Sequence, residues 1–349
     1  MYHTVIQERI RRLHLLHSVM LELTYRCNLN CFYCYNDPEA AGTPLSVDQY
    51  LRLFDDLESM QVLFLSFTGG EPLAHPQFFE LAGAARRRGF AIRVKSNGHA
   101  IRGEVARRLR DEVNPMAVEM SLHGATASVH DRQTRVPGSF ERLLENLTQM
   151  QQLGLRPSFV STLTAWNAPE IEAMYALADR FGVRLRWQGP VSPRQNGDRE
   201  PLTIQPSAVD WERVRAIAEG RRASAAVPAA NPLEGATKPP ATDEDRPHCG
   251  IGTQEVLVDP FGNVYPCVQV RWSAGNLHRQ PIRAIWEQAT AFGDARRLSV
   301  ATAKRFAGQR PTQFGAPIFC PGVELTYLGE RGQRTDIPLN DWRKSSPLR

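Results

Sequence analysis

The sequence predicts a parallel α/β fold of about six strand–helix units, followed by a small cysteine-bearing module. Two observations predict the first part. Residues 19–188 alternate short apolar runs with amphipathic stretches, at a repeat of roughly 25–35 residues. The apolar runs are continuous rather than alternating, as in strands covered on both faces. A third observation predicts the break: residues 223–247, "ASAAVPAANPLEGATKPPATDEDRP", are rich in Ala and Pro and lack periodicity. They read as a flexible linker or disordered insertion.

The elements follow in order. "VMLEL" (19–23) reads as a short buried strand. In 46–60, Val47, Tyr50, Leu51, Phe54 and Leu57 recur at helical spacing, and Ser46 with Gln49 makes a capping box. "VLFLSF" (62–67) is a strand buried on both faces. Helices are expected at 76–88, 102–112, 139–153 and 168–181, with strands at 91–96, 116–122, 156–163 and 184–189. Six units fall short of the eight that close a full barrel. Residues 190–206 read as loop. "TQEVLVDPFGNVYPCVQV" (253–270) reads as a β-hairpin turning at 259–263, and 281–289 as a short helix. The expected division is an N-terminal extension (1–18), a core (19–190), a connecting segment (191–247), a C-terminal module (248–325) and a polar tail (326–349).

Composition excludes several classes. The 349 residues are 42% hydrophobic and 23% charged, with a net charge of +5. The arginines lie on helical stretches mixed with acids or apolar residues, which reads as solvated helix faces and not a nucleic-acid stripe. No apolar run approaches the ~20 residues of a membrane span. The N-terminus has no secretory pattern. A cytoplasmic protein with reduced thiols is expected, so its six cysteines read as metal or redox ligands and not disulfide staples.

"RCNLNCFYC" (26–34) sets Cys27, Cys31 and Cys34 at C-x₃-C-x₂-C, directly after the first strand. That end of a parallel sheet is where sites are built. Three thiolates hold three irons of a [4Fe–4S] cube and leave the fourth free to bind a substrate or cofactor. Zinc held by three cysteines and a histidine is the alternative, with His14 and His17 close in sequence.

This spacing, with the aromatic Tyr33 before the last cysteine, resembles the radical S-adenosylmethionine (SAM) superfamily. The resemblance covers roughly residues 18–190 and implies a partial (β/α)6 barrel. It implies that the open iron chelates SAM and that the reduced cluster cleaves it to a 5′-deoxyadenosyl radical. "TGGEP" (68–72) is similar to the segment that binds the SAM amino group through Gly69, Gly70 and Glu71. From the residues alone, two glycines let a backbone approach a ligand closely. "KSNG" (95–98), with Ser96 and Asn97, is similar to the segment near the methionyl and ribose groups. Ser121 in "EMSLHG" matches a ribose-contacting position, and "FVSTL" (159–163) should pass the adenine.

Cys249 and Cys267 bracket the hairpin in a C-x₁₂-G-x₄-C pattern, with Cys320 in "CPG" further on. The pattern resembles a truncated auxiliary-cluster extension of the SPASM or twitch type, and implies one auxiliary iron–sulfur cluster. A complete SPASM domain carries seven cysteines, so a second auxiliary cluster is not expected. The fourth ligand is open between His248, Glu324, water and substrate. Three inert buried cysteines are the alternative.

The resemblance implies oxidation or crosslinking of a ribosomally made peptide, with an electron donor such as flavodoxin or ferredoxin. Only about 18 residues precede the first strand, so a separate peptide-recognition protein is needed, or none. The alternatives are a small-molecule dehydrogenase of natural-product biosynthesis, of the aminoglycoside alcohol-oxidising kind, and a redox-neutral epimerase. A non-catalytic iron–sulfur or zinc protein is the reading from another class. No nucleic-acid or membrane partner is expected.

Overall fold

The computed structural model describes residues 2–225, 249–305 and 320–322. A helix α1 (Tyr2–Leu13) precedes strand β1 (Ser18–Thr24). Then follow α2 (Val47–Ser59), β2 (Phe64–Gly69), α3 (Phe78–Arg87), β3 (Ala91–Ser96), α4 (Gly103–Arg108) and β4 (Ala117–Ser121). Next come α5 (Ala127–Thr134), α6 (Ser139–Gln152), β5 (Pro157–Thr162), α7 (Ile171–Arg180), β6 (Leu185–Gln188) and α8 (Ala208–Ala225). The C-terminal part holds β7 (Glu255–Val258), β8 (Asn263–Tyr265), β9 (Gly275–Asn276), α9 (Ile282–Gln288) and α10 (Thr290–Arg305).

The six predicted strands form in the predicted order, each parallel to the next. Their C-terminal ends therefore share one edge, where Thr24, Gly69, Ser96, Ser121 and Thr162 sit. The capping box on α2 forms: Ser46 Oγ accepts from Gln49 N at 3.3 Å, and Gln49 Oε1 accepts from Ser46 N at 3.0 Å. Its apolar face carries Tyr50, Leu53, Phe54 and Leu57 into the core. Phe54 and Phe67 are fully buried, and truncating either to Ala should cost roughly 3–5 kcal/mol.

Strand alternation gives the sheet two different faces. Val19, Leu21 and Leu23, Leu65 and Phe67, and Ile92 and Val94 pack into the helical layer. The opposite face carries Glu22, Thr68, Lys95 and Glu119. Glu119 is ion-paired with Arg186 at 2.7 Å, Lys95 at 2.9 Å and Arg93 at 3.2 Å. The interior of this partial barrel is thus polar, as a site needs and a filled core does not.

Several boundaries and elements differ from expectation. β2 starts at Phe64 because Val62 N closes the turn after α2 onto Leu57 O at 3.0 Å. The expected helix 102–112 is α4 running into a π-helical turn at Leu109–Val113. α1, α5, α8 and α10 are additional. Residues 223–225 belong to α8, whereas 226–248 and 323–349 lie outside the described residues, and with them the rest of the expected linker and the tail. The hairpin forms, with Leu257 opposite Tyr265 and Gly262 at φ +77 in its turn. However, β7 also pairs in parallel with β1, giving one sheet of order β6-β5-β4-β3-β2-β1-β7-β8-β9. The C-terminal hairpin is therefore an extension of the core sheet.

Candidate functional site

The first cysteine loop leaves β1 at the shared edge and is pinned on three sides. From below, Gly70 N donates to Thr24 O at 2.6 Å and Glu71 N to Arg26 O at 2.9 Å. A Cβ on Gly69 would lie 2.3 Å from Thr24 O, and one on Gly70 2.4 Å from Arg26 O. The glycines are therefore required where the Gly-Gly-Glu turn packs on the chain entering Cys27. Among the described residues, the close approach at these glycines is to the protein's own backbone, besides the ligand contact that the resemblance implies. From the side, Asn30 N and Phe32 N donate to Thr134 O (3.1 Å) and Gln133 O (2.9 Å) at the end of α5. From β3, Asn97 Nδ2 donates to Asn28 Oδ1 at 2.7 Å and stands 3.6 Å from Cys27 Sγ. Leu29 N donates to the same sulfur at 3.4 Å.

Burial pushes all three thiols up, Cys27 to about 11, and the charge of the other cysteines adds to the shift of Cys27 and Cys31. Arg135 beside Cys31 and Arg194 beside Cys34 pull the other way. Bare, the thiols stay protonated at neutral pH, so cluster assembly must displace protons.

Glu71 is 1% exposed, and its carboxylate faces inward. It accepts from Ser96 Oγ at 2.9 and 3.0 Å, Asn97 N at 2.9 Å and Leu73 N at 3.2 Å. Burial still pushes it up to about 7, against those hydrogen bonds. Its side chain ties the end of β2 to the end of β3. Ser96 Oγ also accepts from Gly98 N at 2.9 Å, so its hydroxyl is committed within the protein. Asn97 is likewise engaged, its Oδ1 taking His99 N at 3.0 Å. Ser121, half-buried at the end of β4, has a hydroxyl with no hydrogen-bond partner among the described residues, as a ligand-contacting group would.

Tyr33 turns its hydroxyl onto His123, 3.0 Å from either ring nitrogen. His123 is 1% exposed, and burial together with neighbouring His130 holds it well below the usual histidine range. Sequence reasoning missed it as a contributor. The available signal was its place two residues past Ser121, at the same strand edge.

The zinc alternative fails on geometry. His17 precedes β1 and Cys27 follows it, so the seven residues of the strand separate them by about 20 Å. His14 lies further back still. Among the described residues no three His, Cys, Asp or Glu side chains close to the distance of a single metal ion. Thiolates on separate corners of an iron–sulfur cube stand further apart than ligands of one ion.

The three remaining cysteines also come together. Cys320 raises both Cys249 and Cys267 by its charge, and Cys249 raises Cys267, on top of burial. Val270 N donates to Cys267 Sγ at 3.3 Å. Gly322 packs on the backbone beyond Cys267, where a Cβ would lie 2.7 Å from Gln269 O. His248 and Glu324 lie outside the described residues. Ser299 on α10 touches Cys249 and was not anticipated.

A cavity of about 1040 Å³ is lined by residues that neighbour both sets in sequence. Tyr35, next to Cys34, and Tyr25 line one side; Gln269, Arg271 and Gly322 line the other. Arg271 crosses to the barrel and ion-pairs at 2.7 Å with Glu22, which is fully buried.

Comparison with known proteins agrees with this arrangement. Residues 21–178 match the radical SAM superfamily, and residues 249–308 match SPASM, an iron–sulfur cluster-binding domain. The mycofactocin maturase MftC of Mycobacterium ulcerans (strain Agy99) is 32% identical over 295 residues, covering 79% of this chain and 75% of the relative. The AdoMet-dependent heme synthase of Methanosarcina barkeri (strain Fusaro / DSM 804) is 28% identical, covering 78% and 82%. Among solved structures, Streptococcus suis SuiB bound to its precursor peptide SuiA superposes with a TM-score of 0.67 at 13% identity, covering 93% of this chain and 76% of that one. The shared sequence with MftC and the two domain matches agree with the strand-edge geometry, and the chain belongs to the radical SAM superfamily, with a SPASM-type module at its C-terminal end.

Proposed function

We propose that this chain oxidises or crosslinks a ribosomally made peptide. Family membership brings a [4Fe–4S] cluster and SAM, and the SPASM module an auxiliary iron–sulfur cluster. Bound, these supply a 5′-deoxyadenosyl radical that takes a hydrogen atom from substrate, and an acceptor for the electron then released. In this reading Cys27, Cys31 and Cys34 hold the first cluster, and Cys249, Cys267 and Cys320 the second. Asn97 and the Gly69–Glu71 turn fix the first loop; Tyr33 and Ser121 border the SAM site. The functional units are the core, 19–190, and the module, 248–325.

The observation that carries the proposal is a cavity lined by Tyr35, which directly follows Cys34, and by Val268, which directly follows Cys267. A substrate there would meet the chain next to a cysteine of each set. At about 1040 Å³ the cavity is at the top of the ~300–1,000 Å³ range of ligand pockets and has room for a peptide segment. The maturase relative and the peptide-bound SuiB structure support the same class. In this reading a flavodoxin or ferredoxin delivers the reducing electron. No helix among the described residues is long and apolar enough to cross a membrane.

The heme synthase relative supports a second reading, a small-molecule substrate. Reduced, reconstituted enzyme incubated with SAM and candidate peptides should yield 5′-deoxyadenosine and a peptide lighter by the hydrogen lost. Peptides left unchanged while a small alcohol or porphyrin is converted would select the second reading.

A further inference from the structure

Ser299 lies inside α10 and is fully buried. The same helix supplies Ala295 and Leu298 to the small apolar cluster packed against Cys249 and Cys267. A buried hydroxyl is unfavourable unless it finds a partner. In a helix interior that partner is ordinarily the carbonyl four residues back. Thr302, on the next turn, follows this rule and donates to Leu298 O at 2.9 Å. Ser299 makes no such bond among the described residues. Its Oγ instead accepts the N–H of Cys249 at 3.1 Å and stands 3.7 Å from Cys249 Sγ. With Cys249 N–H on one lone pair, the hydroxyl proton has the sulfur as its acceptor.

The geometry points to Ser299 as a positioning residue that donates a hydrogen bond to the Cys249 thiolate and raises the reduction potential of the auxiliary cluster. The inference rests on the assignment of Cys249 as a cluster ligand. Reduction adds one electron, whose charge is shared by the coordinating sulfurs. A donor aimed at one of them stabilises the reduced state more than the oxidised state. Val270 N serves Cys267 in the same way. The effect favours electron uptake from a substrate radical, which gives one electron to the cluster and one proton to solvent as it becomes oxidised product.

The test is a potentiometric titration followed by electron paramagnetic resonance, on full-length protein reconstituted anaerobically. Cys27, Cys31 and Cys34 are replaced by Ala so that only the auxiliary cluster reports. Ser299→Ala should titrate at a lower midpoint, and Ser299→Thr, which keeps the hydroxyl, at the parent midpoint. An unchanged or higher midpoint in Ser299→Ala would overturn the inference. If Ser299→Ala assembles no cluster, Ser299→Cys, with its weaker donor, should titrate below the parent; an equal midpoint there overturns it too. A parent that binds no iron defeats the auxiliary-cluster assignment instead, a distinguishable result.

Discussion

Glu22 and Arg271 form a buried ion pair between the first barrel strand and the C-terminal module. The same carboxylate accepts from Tyr25 OH at 3.1 Å and Tyr35 OH at 3.0 Å. Tyr25 precedes Cys27 by two residues, Tyr35 follows Cys34 directly, and Arg271 lies four residues past Cys267. One carboxylate therefore fixes both ends of the first cysteine loop relative to the second set. Removing one partner of a buried pair leaves an uncompensated charge and costs roughly 3–5 kcal/mol, whereas replacing both is far milder. Arg271→Met should therefore lower the urea midpoint sharply, and Glu22→Gln/Arg271→Met should recover most of it. Equal losses in single and double variants would show that the pair is not coupled.

The Gly-Gly-Glu turn supplies a second prediction. A Cβ on Gly70 would strike Arg26 O and Tyr25 O, which are backbone and cannot swing aside. Gly70→Ala should displace the entry to Cys27, so iron bound by the first loop falls along with SAM affinity. Gly189→Ala, whose Cβ meets nothing within 4 Å, is the control. Full iron content in Gly70→Ala would place the strain elsewhere.

Glu71 supplies a pH dependence. Its carboxyl is raised to about 7 in the fold, against about 4.3 in an unfolded chain. Between those values the native state binds more protons than the unfolded state, so stability falls as pH rises through the window. The full effect is on the order of 3 kcal/mol, complete above pH 7 and absent below the unfolded value. Urea midpoints measured from pH 5.5 to 7.5 should fall more steeply for the parent than for Glu71→Gln. Parallel slopes would mean that the hydrogen bonds from Ser96 and Asn97 outweigh burial.

Much of this was legible in the sequence, for identifiable reasons. The strand–helix units announce themselves because their buried residues are apolar and local, as in Tyr50, Phe54 and Leu57. α5 escaped because the residues it buries are His130, Gln133 and Thr134, so its pattern carries no apolar period. Pairing of β7 with β1 escaped because a register across more than 230 residues leaves no local trace. The first cysteine set stood out by its spacing, and the second by its resemblance to a family pattern, each as a candidate cluster site. The role of Gly69 and Gly70 was legible as a close approach, but not as an approach to Thr24 and Arg26. His123 and Ser299 are each brought by the fold to a cysteine-loop residue from another element.

The two cysteine sets give the last prediction. They are built from different segments of the chain and share no residue, so their iron should be separable. Cys31→Ala should abolish reductive SAM cleavage, since no other thiol on that loop replaces it. Replacing Cys27, Cys31 and Cys34 together by Ala should leave the iron of the auxiliary set bound. Cys267→Ala should do the reverse: it should still form 5′-deoxyadenosine when reduced, because the contacts that hold the first loop, from Gly70, Asn97, α5 and the Glu22–Arg271 pair, do not involve the Cys267 side chain. Oxidised product should fall, because the electron released by the substrate loses its acceptor. Product per 5′-deoxyadenosine, measured by mass spectrometry, is the quantity to follow. A Cys267→Ala enzyme with the parent ratio would show that the reaction needs no second acceptor, and would favour a redox-neutral epimerisation in the same cavity.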